Sequence, residues 1–148
     1  AMTGWRLGYL GAPEAIAKVI DSLQSHSTSG PNSFAQKGAV AALKGSQQCV
    51  SDMRDEFNVR REYMYERLAA IPNVTTVKPL GAFYMLADIS KFGLSSTNFA
   101  DRLLSKAEVA VVPGVAFGDD KTVRLSYATD LETIKTGLDR IEQFCRTI

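Results

Sequence analysis

Cysteine and histidine are scarce in this 148-residue sequence, which has two cysteines, Cys49 and Cys145, and a single histidine, His26. The cysteines are far apart and form no C-x-x-C pair, which excludes a thiol redox motif and a cysteine-based zinc site. A lone histidine in a polar stretch argues against a histidine metal site or a catalytic triad. We therefore expect a protein of the reducing cytoplasm that has no metal site.

An excess of charge and a long apolar run are also absent. The chain has 17 Lys and Arg against 16 Asp and Glu, for a net charge of +1. Binding to nucleic acid or to a membrane surface through bulk charge is therefore not expected. No stretch approaches the roughly 18 continuous apolar residues of a membrane span, and the start lacks a secretory signal pattern. With 45% hydrophobic residues, the composition is that of an ordinary globular protein.

Turn-forming residues and apolar spacing predict the elements of the first half. The predicted elements are a strand over residues 4–10, a helix from Pro13 to about Gln24, a polar loop over residues 26–33 and a helix over residues 33–43. Ser46 then begins a long helix, in which apolar residues recur at intervals of three, four or seven and which ends before Pro72.

The second half contains a predicted sheet with helices of its own. Strands are predicted over residues 74–77, 82–87, 109–112 and 122–128, and helices over residues 95–105 and after the capping Asp130. Residues 46–148 therefore form a self-contained α/β unit, with a sheet covered by helices. Residues 1–45 have no sheet of their own, so we expect them to be the end of a larger domain that begins upstream.

Arg6 is the first candidate binding residue. It lies in the predicted glycine-containing strand, where a ligand can approach the backbone closely. A guanidinium binds phosphate oxygens in a bidentate manner that lysine cannot reproduce. The alternative is a structural arginine that forms a salt bridge at the edge of a sheet.

Arg124 is the second candidate, because it interrupts a predicted strand of largely apolar or hydroxyl-bearing residues. Its charge needs a partner or access to a cleft. A ligand carboxylate is one such partner, and an internal ion pair with an acid such as Asp88 is the alternative. Gly81 and Gly114 mark either a close approach of the backbone or simple turns.

Together, several motifs resemble the C-terminal part of the fold-type I aminotransferases of class I and II, the aspartate aminotransferase-like enzymes that use pyridoxal phosphate. The resemblance covers nearly the whole chain, and its most specific piece is MTGWRLGY at residues 2–9. The supporting motifs are SFAQ (33–36), GAFY (81–84), VPG (112–114) with FG (117–118), and VRLSYA (123–128).

The resemblance implies a role for each candidate residue. Arg6 matches the arginine that binds the cofactor phosphate, and Arg124 matches the arginine that binds the α-carboxylate of the amino-acid or 2-oxo-acid substrate. Gly81 matches a position that lines the substrate cleft, and Pro113 and Gly114 match a loop near its mouth. Residues 1–45 then belong to the large cofactor-binding domain, and residues 46–148 form the small C-terminal domain.

The family pattern also includes residues that this chain lacks. In the family, the lysine that forms the Schiff base precedes the phosphate-binding arginine, and that position would lie ahead of Ala1. The aspartate that pairs with the pyridine nitrogen also belongs to the upstream part. Because transamination needs both groups, we expect this chain alone to be inactive. Two alternatives remain open: a lyase or synthase on the same scaffold, and a non-catalytic sensing or assembly module.

The apolar residues of the first segment favour self-association. Without an adjoining sheet they would be exposed and would seek a partner surface. We therefore expect a homodimer or a higher oligomer. The residues in question are Trp5, Leu7, Leu10, Ile16, Val19 and Ile20.

Overall fold

A computed structural model describes all residues from 1 to 148 and has an α/β architecture. The chain divides into two compact units, residues 1–51 and residues 52–148. Five α-helices and four strands follow one another along the chain. They are α1 (Glu14–Thr28), α2 (Ser33–Lys44), α3 (Gln48–Ala70), β1 (Thr75–Thr76), β2 (Tyr84–Asp88), α4 (Ser96–Ala107), β3 (Val112–Pro113), β4 (Thr122–Ser126) and α5 (Leu131–Cys145).

The strand predicted over residues 4–10 is wrong. Thr3–Trp5 form a single 3₁₀ turn, and Arg6 follows with a left-handed φ of 53°. Residues 1–51 contain no strand at all, so the backbone groups of a strand at residues 4–10 would have no hydrogen-bonding partner strand within this unit. The ring of Trp5 packs instead on α2 at Gly38, where an added Cβ would lie 3.1 Å from the ring.

The two helices of the first unit match the prediction except for one boundary. The helix α1 continues past Gln24 to Thr28 and ends at Ser29, whose φ of 62° is left-handed. The polar loop that the sequence predicts over residues 26–33 therefore begins later in the structure, after Thr28. The helix α2 begins where its cap indicates, because Asn32 Oδ1 accepts a hydrogen bond from Ala35 N–H at 3.0 Å.

The second unit contains an antiparallel sheet with the strand order β1-β2-β4-β3. The central pair, β2 and β4, places Leu86 opposite Arg124, and β3 places Val112 opposite the same arginine. The outer strands β1 and β3 have only two residues each. They are shorter than the sequence predicts.

One face of this sheet is covered by the C-terminal half of α3 together with α4 and α5. The sheet contributes Met85, Ala87, Val123 and Leu125 to the core. Complete burial of such a side chain contributes about 1.5–3 kcal/mol. The helices contribute Met64, Leu68, Phe99, Leu103, Ile134, Leu138, Ile141, Phe144 and Cys145.

The apolar pattern of α3 extends beyond its buried part. Met64 and Leu68 are buried, whereas Val50 and Met53 near the start of the helix are exposed. The predicted periodicity therefore marks a core face only in the C-terminal half. No helix of the structure has both the length and the apolar character that crossing a membrane requires.

Candidate functional site

Arg124 lies in the middle of β4, on the sheet face that no helix covers. Its two cross-strand neighbours are Leu86 and Val112, both of which are exposed. Alternation along β4 directs Val123 and Leu125 into the core and Arg124 away from it. The register of the sheet thus presents a half-buried guanidinium on an otherwise apolar surface.

Two aromatic rings contact this guanidinium. Its central carbon lies 4.1 Å from the ring centroid of Tyr84 and 4.4 Å from that of Phe117. Each contact of a cation with a ring face contributes about 0.5–1 kcal/mol at partly exposed sites. Such stacking occupies faces of the planar group and leaves its N–H edge available as a donor.

No carboxylate of the chain pairs with Arg124. The ten salt bridges of the structure all involve other residues, and the guanidinium donates no hydrogen bond. The ion pair with Asp88 that the sequence leaves open is absent. Asp88 accepts a hydrogen bond from Ser90 N–H at 2.8 Å, and hydrogen bonding from Ser90 lowers the pKa of its carboxyl group.

A cleft of about 700 Å³ lies in front of the guanidinium. Arg124 is the only cation among its lining residues and Asp88 the only anion. The remaining lining residues are apolar, aromatic or hydroxyl-bearing: Thr75, Thr76, Val77, Pro79, Tyr84, Leu86, Phe117 and Thr122. This composition suits a ligand that has a carboxylate and a small organic body.

Gly114 begins the turn that carries Phe117, and it is tightly enclosed. A Cβ at this position would lie 2.3 Å from both the carbonyl oxygen of Asp119 and the Oγ1 of Thr122. The predicted close approach of the backbone is therefore present at Gly114. It is absent at Gly81, where an added Cβ meets nothing within 4 Å.

Gly81 lines a second cleft, of about 660 Å³, next to Arg61 and Tyr127. The Tyr127 hydroxyl donates to the carbonyl oxygen of Ala82 at 3.0 Å. This bond holds Ala82 in a left-handed conformation with a φ of 57°, which is uncommon outside glycine. Gly81 and Arg124 thus line different clefts of the second unit.

Arg6 lies in the first unit, where it is exposed and has no acidic partner. Its Nη1 donates to the carbonyl oxygen of Thr3 at 3.2 Å, closing the preceding turn. The expected alternative, a structural salt bridge, is absent. Arg6 borders a cleft of about 470 Å³ together with Gly4, Trp5, Asn32, Phe34 and Ala35. The remaining donors of its guanidinium are free to bind an anion.

The sequence analysis missed the two rings at Arg124. Tyr84 lies in the motif GAFY and Phe117 in the motif FG, but the sequence analysis assigns a role to neither residue. The register of the strands would have indicated Tyr84. Leu86 is opposite Arg124, and Tyr84 is two residues from Leu86 on the same strand, so the side chains of Tyr84 and Arg124 lie on the same face of the sheet. No group of three histidine, cysteine, aspartate or glutamate side chains is placed to hold a metal ion.

Comparison with known proteins gives one consistent result. A family model described as aminotransferase class I and II matches residues 1–141. The aspartate aminotransferase of Bacillus sp. (strain YM-2) is 44% identical over 151 residues, which is 99% of this chain and 38% of that protein. The probable aspartate/prephenate aminotransferase of Aquifex aeolicus is 46% identical, over 97% of this chain and 38% of that protein.

Solved structures agree with the sequence relatives. The aromatic aminotransferase of Pyrococcus horikoshii superposes with a TM-score of 0.94 at 39% identity, over 99% of this chain and 40% of that one. The aspartate aminotransferase of Thermus thermophilus, solved with maleate, gives 0.91 at 40% identity, over 100% of this chain and 38% of that one. The chain therefore spans about 38% of the length of the curated relatives it matches.

Proposed function

Because the chain belongs to the aminotransferase class I and II family, we propose that it forms the C-terminal part of a pyridoxal-phosphate-dependent enzyme that moves an amino group between an amino acid and a 2-oxo acid. The observation that carries the proposal is the unpaired guanidinium of Arg124. It lies between apolar neighbours, contacts two rings and faces a cleft.

In this proposal Arg124 binds the substrate α-carboxylate. A carboxylate that accepts two parallel N–H bonds is fixed in direction as well as in position. Tyr84 and Phe117 restrict the guanidinium, so less side-chain freedom is lost when the substrate binds. The apolar surroundings strengthen the charge interaction by limiting water around it.

Arg6 fits the cofactor phosphate in the same scheme. Its exposed guanidinium has one backbone acceptor, Thr3, and no carboxylate, so a dianion would find free donors there. The bound coenzyme would supply an electron-accepting ring for the chemistry at the substrate. The family pattern alone supports a place for Gly81 at the substrate site, since in this structure Gly81 borders a different cleft from Arg124.

The division of labour between segments is part of the proposal. Residues 1–45 would belong to the large cofactor-binding domain and residues 46–148 to the small domain. Lys18 is the first lysine of this chain and follows Arg6, so no lysine here occupies the family's Schiff-base position. We therefore propose that this chain alone does not catalyse transamination, and that the longer protein acts in the cytoplasm.

Self-association is also proposed, on the basis of the first unit. Its helices present exposed apolar side chains, among them Ile16, Val19, Leu23, Val40 and Leu43. Water-exposed apolar groups of this number favour association with a second copy. A monomer over a wide concentration range in light scattering would contradict a homodimer.

The relatives suggest the substrates to try first. Several are named aspartate aminotransferases, so we propose an acidic amino acid and its 2-oxo acid. The test is steady-state kinetics of the longer protein, loaded with pyridoxal phosphate, in which Arg124→Lys is compared with the wild type.

The expected result is a fall in kcat/KM of about 100-fold, equivalent to ~2.7 kcal/mol, because lysine offers neither two parallel donors nor a flat face for the rings. The matched control is Arg146→Lys, which changes an exposed arginine paired with Glu142 and should leave kcat/KM unchanged. Equal values for wild type and Arg124→Lys would contradict the assigned role.

A further inference from the structure

A buried hydroxyl links the start of α4 to the turn that carries Phe117. Ser96 is completely buried, and its Oγ–H donates to Asp120 Oδ1 at 2.6 Å. The Ser96 backbone N–H donates to the same carboxylate oxygen at 2.9 Å. The Val115 N–H in turn donates to Ser96 Oγ at 3.2 Å. One hydroxyl therefore connects three segments of the second unit.

The turn has little other freedom once Val115 is held. Gly114 to Phe117 form a 3₁₀ turn, and the Gly118 N–H donates to the Val115 carbonyl at 3.1 Å. The Asp119 N–H donates to the Gly114 carbonyl, also at 3.1 Å. The position of the Val115 backbone thus determines where Phe117, two residues later, leaves the chain.

Phe117 itself is held weakly by its surroundings. Its side chain is 51% exposed, and its ring contact within the structure is with the guanidinium of Arg124. An exposed ring of this kind keeps its place through its backbone rather than through a packed pocket. The hydroxyl link, together with the backbone hydrogen bonds of the turn, therefore presents the ring to Arg124.

We propose that Ser96 and Asp120 are positioning residues for binding of the substrate carboxylate, because through Val115 they hold Phe117 against Arg124 and so fix the direction of its N–H donors. The proposal rests on the assigned role of Arg124. Neither Ser96 nor Asp120 touches the ligand. They act through the turn, and their removal should loosen the arginine without removing any donor from it.

The test measures binding of maleate, a simple dicarboxylate, to the longer protein loaded with pyridoxal phosphate, by titration calorimetry. The variants are Ser96→Ala, Phe117→Leu and the double variant. We expect each single variant to raise the dissociation constant about tenfold, since small errors of placement weaken oriented contacts strongly. The dissociation constant of the double variant should not exceed that of the single variant with the larger value. Both changes break the same connection, which runs from Ser96 through the turn to Arg124.

The matched control is Ser95→Ala at the neighbouring position. Ser95 caps α4 by accepting from Asn98 N–H at 3.2 Å and has no bond to the turn. It should leave maleate binding unchanged, whereas equal weakening by Ser95→Ala and Ser96→Ala would overturn the proposal. Losses that multiply to about 100-fold in the double variant would overturn it as well, as would unchanged binding by Ser96→Ala.

Asp120 keeps the test decisive if Ser96→Ala does not fold. Asp120 is itself exposed, so its substitution leaves the buried site filled. Asp120→Asn retains an oxygen acceptor and should bind maleate as the wild type does, whereas Asp120→Ala should behave as Ser96→Ala does. Equal binding by both Asp120 variants would overturn the proposal.

Arg124→Lys separates this proposal from the proposed function. If Arg124→Lys weakens maleate binding and the variants of Ser96, Phe117 and Asp120 do not, only the positioning proposal fails. If Arg124→Lys binds maleate as the wild type does, the role of Arg124 fails, and the positioning proposal fails with it.

Discussion

At the scale of single residues, the unpaired guanidinium of Arg124 decides what this surface can do. A half-buried charge without a partner disfavours the folded state unless contacts compensate for its lost hydration. The Tyr84 and Phe117 rings supply part of that compensation, but a ring accepts no conventional hydrogen bond. The N–H donors of the guanidinium therefore remain available, and a ligand carboxylate would accept hydrogen bonds from them.

Asp130 gives a prediction about acid stability. Hydrogen bonds from Thr133, at 2.6 Å from its hydroxyl and 2.8 Å from its N–H, lower the pKa of Asp130 below the ordinary value of 3.8. A carboxyl group whose pKa is lowered in the folded state stabilises the fold when the pH is above the ordinary pKa of the group. This contribution is lost as the pH falls through the folded-state pKa.

Asp130→Asn should remove this pH dependence, because asparagine caps a helix well but does not ionise. Urea unfolding should therefore show the wild type losing more stability than Asp130→Asn between about pH 6 and about pH 3. Equal losses in the two proteins would show that the cap does not titrate as described.

The residues of the site were partly predictable. Arg6 and Arg124 stand out in sequence, because a lone cation in an apolar or glycine-containing segment needs an explanation. Whether Arg124 pairs with Asp88 depends on sheet register and on Ser90, which the sequence does not reveal. The link from Ser96 to Asp120 joins residues 24 positions apart, and no local pattern predicts it.

At the scale of elements, the side-chain cap at Asp130 accounts for one of the best predictions. Asp130, the predicted cap, accepts a hydrogen bond from Thr133 N–H, and α5 begins directly after it. Ser95 was predicted as the first residue of its helix and is instead the cap of α4, where it accepts a hydrogen bond from Asn98 N–H. The strand predicted over residues 4–10 was wrong because a strand needs a neighbouring strand for its backbone hydrogen bonds. The glycine and aromatic residues of this segment do not show whether such a neighbour exists. The two-residue strands β1 and β3 were overestimated for a related reason, since apolar runs do not show where pairing stops.

Gly114 and Gly137 form a matched pair for testing the turn that follows β3. Gly114→Ala should lower the free energy of unfolding by about 3 kcal/mol, because the new Cβ overlaps backbone atoms. Gly137 lies within α5 and has open space around its Cα, so Gly137→Ala should raise the free energy of unfolding by about 1 kcal/mol. Urea unfolding gives both values, and the same sign of change in both variants would contradict the turn geometry.

At the scale of the whole molecule, each of the two units carries one of the candidate anion-binding arginines. Arg6 belongs to residues 1–51 and Arg124 to residues 52–148. In our proposal these are the two arginines that bind anions, and the chain has no lysine ahead of Arg6. From the proposed function we expect this chain to bind anions and not to carry out the reaction.

This expectation can be tested by adding pyridoxal phosphate to the chain, reducing with borohydride and mapping the labelled peptides. Any label should be distributed over several exposed lysines, since no lysine occupies the family's position. Arg6→Ala is the control and should give the same pattern. Stoichiometric labelling of one lysine that Arg6→Ala abolishes would contradict the predicted inactivity.

The carboxylate-binding role of Arg124 is tested most directly by a crystal structure of the longer protein, loaded with pyridoxal phosphate and soaked in maleate. The account predicts one maleate carboxylate bound to two guanidinium nitrogens of Arg124 at about 2.8 Å, with the rings of Tyr84 and Phe117 still in contact with the guanidinium. Maleate bound elsewhere, with Arg124 paired to a carboxylate of the protein itself, would contradict it.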